Sequence, residues 1–195
     1  EIAVTDGTNP LADESGTFDF GTVDGVATNP AQTFTIENNG SANLTVSGVT
    51  LGNTDDFTLT PPPASSVGAG SSTDFIVQFD ASVPGPYSTT VTIDNNDADE
   101  NPYTFTVNAT AGAPEADLFV ETSPRTAVAD GDPFDFGSVT VGASSTETFT
   151  IENNGDATLA INSPSLIPGV FDITATGGAT PPLAPGQAFT FDVTF

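Results

Sequence analysis

The chain repeats itself, and that limits what it can fold into more than any other feature. Thr33-Phe34-Thr35-Ile36-Glu37-Asn38-Asn39-Gly40 returns without change at Thr148 to Gly155. Phe18-Asp19-Phe20-Gly21-Thr22-Val23 returns as Phe134-Asp135-Phe136-Gly137-Ser138-Val139, and Phe75-Ile76-Val77-Gln78-Phe79 matches Phe191-Asp192-Val193-Thr194-Phe195. The spacing holds at 115 or 116 residues, so the pattern is a tandem duplication and each copy is one structural unit. Two domains are expected, 1–115 and 116–195. The Ala/Gly/Pro segment 110–114 between them is too short for free tumbling.

Within a copy the apolar period is two. Phe34 and Ile36, Leu44 and Val46, Phe75, Val77 and Phe79, Val91 and Ile93, then Tyr103, Phe105 and Val107 alternate with polar residues. Such alternation marks strands with one buried face. Thr, Val and Phe fill these runs, while Gly, Pro, Asn and Asp punctuate them. Asn39-Gly40 and Asn154-Gly155 read as tight hairpin turns with positive φ. About seven strands per copy predict an all-β chain of two tandem immunoglobulin-like antiparallel β-sandwiches.

Composition removes whole classes of function. There are 26 acidic residues against one basic residue, Arg125, and no Lys, His, Cys, Met or Trp, giving a formal charge of −25. Without His or Cys there is no zinc finger and no Ser-His-Asp or Cys-His nucleophile. Nucleic acid and anionic membrane surfaces are excluded as partners, because both are held by Lys and Arg. No catalytic motif is present, so no enzyme activity is expected. At a mean separation of ~25 Å each like-charge pair costs ~0.17 kcal/mol in unscreened water. Over the whole chain that is ~50 kcal/mol, falling to ~2 kcal/mol near physiological salt. The chain is therefore expected to favour salt or divalent cations, as in a saline or calcium-rich exterior. The start Glu1-Ile2-Ala3-Val4 reads as a mature or trimmed product.

The ordered motifs quoted above, with Leu44-Thr45-Val46 and the run Tyr87-Ser88-Thr89-Thr90-Val91-Thr92-Ile93-Asp94-Asn95-Asn96-Asp97, resemble a known family. It is the immunoglobulin-like repeats of bacterial choice-of-anchor D surface proteins, related to Hydin-type and major-sperm-protein-like domains. The resemblance implies an extracellular or cell-surface protein whose repeats act as stalk, sheath, filament or scaffold. It implies no catalytic residues. The competing reading is a calcium-dependent adhesin, or a non-catalytic binding appendage of a larger secreted protein. Sugar binding is disfavoured, since Trp is absent and Tyr87 and Tyr103 fall in strands.

One cluster has the makings of a metal site. Asp94, Asn96, Asp97, Asp99 and Glu100 offer hard oxygen ligands between two predicted strands, as Ca²⁺ requires. The same residues also suit a solvated turn. Asp130 and Asp132 form a second, less organised acidic group, and Asp19 and Asp135 should face solvent between flanking Phe residues. Sequons at Asn39, Asn43 and Asn108 matter only if the source glycosylates Asn.

Phe195 aligns with Phe79, so the second copy as given lacks its last two strands. Either the natural chain continues with more repeats, or strands from like subunits fill the gap. The second alternative expects a foreign strand hydrogen-bonded beside 189–195, with its side chains on Phe191 and Phe195.

Overall fold

In the computed structural model, residues 1–24, 29–61, 63–162 and 170–195 are described. The chain is all-β and divides into two compact units, Glu1–Gly112 and Ala113–Phe195. No helix among the described residues is long and apolar enough to cross a membrane.

Among the described residues the first unit holds ten strands: β1 Ile2–Thr5, β2 Pro10–Leu11, β3 Thr17–Val23, β4 Ala31–Asn38, β5 Leu44–Leu51, β6 Phe57–Thr60, β7 Ser66–Val67, β8 Ser72–Phe79, β9 Gly85–Asn95 and β10 Tyr103–Ala111. They form two five-stranded sheets, in the orders β2-β1-β4-β8-β6 and β3-β10-β9-β5-β7. The alternating residues read from the sequence are those that close the core: Phe34, Ile36, Phe75, Val77, Val91, Ile93 and Val107 are each fully buried. Phe34 joins the sheets. Its ring lies 5.5 Å from Phe75 on its own sheet and 5.1 Å from Phe105 on the opposite one. At roughly 1.5–3 kcal/mol per buried large apolar side chain, this layer is the main source of the unit's stability.

Two expectations need correction. The sandwich is not wholly antiparallel: β3 runs parallel to β10, with Phe18 opposite Val107. Asn39-Gly40 is not a hairpin turn either. β4 lies in one sheet and β5 in the other, so the segment crosses between sheets, and neither Gly40 nor Gly155 has positive φ. Glycine is needed there for space, because a Cβ on Gly40 would stand 2.7 Å from the backbone nitrogen of Glu1.

The second unit holds β11 Ala116–Val120, β12 Thr126–Val128, β13 Thr146–Asn153, β14 Asp172–Gly178 and β15 Ala188–Thr194. Their order, β12-β11-β13-β15-β14, repeats the first sheet of the first unit strand for strand. Phe149 stacks on Phe191 at 5.7 Å as Phe34 does on Phe75. The opposite sheet is represented among the described residues by a single bridge, Leu159 to Leu183, where the first unit pairs Leu44 with Val67. The consequence is graded exposure: Phe79 is 2% exposed, and its equivalent Phe195 is 42% exposed.

The expected attachment point for a foreign strand is also corrected. β15 is hydrogen-bonded to β13 on one side and β14 on the other, so residues 189–194 offer no free edge.

Candidate functional site

The acidic loop lies where expected, in the hairpin between β9 and β10, with Tyr103 opposite Ile93. Its side chains divide by task. Asn95 is buried and ties the loop together: its amide nitrogen donates to the Glu100 carbonyl at 2.8 Å, and its side-chain oxygen accepts from Asp97 N at 2.7 Å. Asn96 reaches the start of β5, accepting from Thr45 N at 2.7 Å. Asp94 and Asp99 are exposed. Of the five expected ligands, the structure brings only Asp97 and Glu100 into one cluster. Asp94 is exposed outside it, Asn96 reaches Thr45 beside it, and Asp99 hydrogen-bonds Asp97 from its rim.

The third member is Glu1, which the loop sequence gave no reason to suspect. β1 pairs with β4, and Asn39 N donates to the Glu1 carbonyl at 2.9 Å, so the first residue is laid beside the loop. Carboxylate oxygens of Glu1, Asp97 and Glu100 all lie within 4.8 Å of one another. Beside them is a concavity of about 310 Å³, lined in part by Glu1, Asn38, Asn43, Asn96 and Asp97.

The three acids are in different electrostatic states. The Asp97 side chain is only 7% exposed; its Oδ2 accepts from Ile2 N at 3.0 Å and lies 2.9 Å from the Glu1 nitrogen, an ammonium in a chain beginning here. The amine first, and then hydrogen bonds from Asp99, hold the Asp97 carboxyl down at about 2 against the effect of burial. Glu100 is displaced the other way. Burial, then the neighbouring Glu1, Asp97, Asp13 and Asp99 charges, raise it above its ordinary value. Its Oε2 is buried and has no hydrogen-bond partner. Asp13 is held nearby by Thr104 N, 2.7 Å from its Oδ1.

Other candidates stay apart. Asp130 and Asp132 are exposed and belong to no three-acid cluster among the described residues. Asp19 and Asp135 are solvent-facing as expected; each accepts from the glycine two residues on, at 2.8 Å in both copies. Among the sequons, Asn39 and Asn43 are exposed and Asn108 is half-buried on β10.

A two-sheet sandwich with this strand order defines an immunoglobulin-like module. Residues 12–110 match the HYDIN/CFA65/VesB-like, Ig-like domain model. The chain belongs to that family. Among curated proteins none matches it. Among solved structures it is similar to the VesB protease of Vibrio cholerae at 20% identity, over 54% of this chain and 32% of that one, with a TM-score of 0.41. It is similar to the secreted serine protease VesC of the same organism at 12% identity, over 91% of this chain and 44% of that one, also with a TM-score of 0.41. A Porphyromonas gingivalis protein of unknown function is similar at 12% identity, over 99% and 82% of the two chains, with a TM-score of 0.35. The chain thus spans less than half the length of the two Vibrio structures.

Proposed function

We propose that this chain is a non-catalytic, extracellular scaffold: tandem Ig-like repeats of a surface stalk, sheath or filament, whose natural partners are neighbouring repeats. The carrying observation is that the strand order of one sheet recurs in the second unit, built from the repeated motifs. Repetition of a packed unit supplies length and presentation. The resemblance to choice-of-anchor D repeats supports the surface location, and a charge of −25 supports solubility outside the cell.

Negative-stain imaging of the native material from the source cells tests this reading. Extended surface fibres or stalks are expected. Free single particles with no fibrous form would replace it with a binding appendage of a larger secreted protein.

A further inference from the structure

We propose that Glu1, Asp97 and Glu100 form a calcium site that ties the start of β1 to the β9–β10 loop. Three observations converge on it, and none depends on whether the chain serves as a stalk.

The first is geometry. Oxygens sharing one Ca²⁺ at roughly 2.3–2.6 Å lie no more than about 5 Å apart. The carboxylate oxygens of these three residues meet that condition, all within 4.8 Å of one another. The second is an unmet demand. Oε2 of Glu100 has less than 1 Å² of accessible surface and no hydrogen-bond partner. A buried acceptor without a donor costs free energy until something satisfies it.

The third is the supply of positive charge. The chain has no Lys or His, and Arg125 lies in the other unit, bound to Glu121 and Glu152. The Glu1 nitrogen is turned to Asp97. Even with that amine counted as a cation, three carboxylates leave two negative charges uncompensated. A hard divalent ion matches both the charge and the all-oxygen donor set. Calcium suits three carboxylates from two separate segments, one of them on the exposed Glu1 side chain, because it accepts irregular shells completed by water. Magnesium demands a near-ideal octahedron.

The test uses the 195-residue chain freed of metal with a chelator. Calcium is titrated calorimetrically in physiological NaCl, and melting is followed with CaCl₂, MgCl₂ or additional NaCl at matched ionic strength. Saturable binding at a Kd of roughly 10⁻⁴–10⁻³ M is expected, the range of extracellular modules. The melting temperature should rise above the NaCl control, and more with calcium than with magnesium. Glu100→Gln and Glu1→Gln should each weaken binding by about tenfold or more, while Asp94→Asn should change it less than about twofold, since one carboxylate ligand carries a large share of affinity. Glu1 is exposed, so its variant remains folded even if the Glu100 variant does not. Absence of saturable calcium heat, equal effects of magnesium, or unchanged affinity in Glu1→Gln would overturn the site. If Glu100→Gln melts as high without calcium as the parent does with it, and the parent shows no binding heat, a proton rather than a metal satisfies Oε2.

Discussion

Asn38 and Asn153, equivalent residues of the two copies, make the same three hydrogen bonds. Each side-chain nitrogen donates to the carbonyl four residues on, Ala42 or Ala157, at 2.8 Å. Each also donates to a distant carbonyl, Val67 at 2.8 Å or Leu183 at 2.9 Å. Each side-chain oxygen accepts from the glycine two residues on, Gly40 N at 3.0 Å or Gly155 N at 3.1 Å. Both residues are buried, and they hold the crossover between sheets whether or not a full second sheet faces them.

Replacing Asn38 with Ala strands three backbone groups, and replacing Asn153 strands a fourth, Glu115 N. Asn38→Ala should destabilise the first unit by about 2–3 kcal/mol, and Asn153→Ala should act on the second unit alone. Denaturant unfolding followed separately for the two units checks this. An Asn38→Ala loss under about 0.5 kcal/mol would show that water replaces the side chain.

The second unit should show partly exposed core around Phe195, which is 42% exposed. Fragment 1–112 is expected to unfold cooperatively and bind little of an apolar dye such as ANS, whereas the 195-residue chain should bind it strongly. Grafting residues 80–112 after Phe195 supplies copies of β9 and β10. The graft should quench dye binding and convert 134–139 into a strand with slowed amide exchange. Continued dye binding by the graft would show that the two copies differ in more than their coverage.

Acid titration, in chelator, should expose two opposed terms in a chain beginning at Glu1. Asp97 is held down to about 2, so its contribution is complete above its unfolded value of 3.8 and is lost as pH falls through about 2. The amine is raised above 8.0, so its share is present below that value and is lost as pH rises through the folded one. Glu100 is raised above 4.5, so its contribution is present below 4.5 and disappears as pH climbs through its folded value. Asp97→Asn should flatten the acid limb of a melting-temperature profile, and Glu100→Gln the mid-acid limb. A profile identical in all three proteins would refute these assignments.

The sole side-chain cation is a local clasp. Arg125 Nε lies 3.0 Å from Glu121, its Nη1 lies 2.8 Å from Glu152, and the guanidinium sits 3.8 Å from the Phe119 ring centre. All three charged groups are about a third exposed, so screening keeps the effect small. Arg125→Gln should cost about 1 kcal/mol in the second unit and nothing in the first. A loss above about 3 kcal/mol would mean the clasp organises the sheet.

Long-range repulsion among 26 acids should make melting temperature rise between millimolar and physiological NaCl. Differential scanning calorimetry across that range reads it directly, and a flat response would remove repulsion as a factor in stability.

The two copies separate what a sequence determines by itself from what tertiary structure decides. Period-two alternation named the core residues of β4, β8, β9 and β10, because the pleat alone sends alternate side chains to one face. The Asp-x-Gly turn is equally local: Asp19 to Gly21 and Asp135 to Gly137 have the same bond length, and both glycines have φ of 72°. Yet Phe18–Val23 lies within a strand, and the matching residues 134–139 form none. The ladder of β3 needs β10, some 90 residues further along the first copy, and among the described residues nothing pairs with 134–139 in the second. Being a strand is a property of a pair. The same reason hid Glu1 from the acidic loop, since the two ends of that contact are 96 residues apart and meet only because β1 docks on β4.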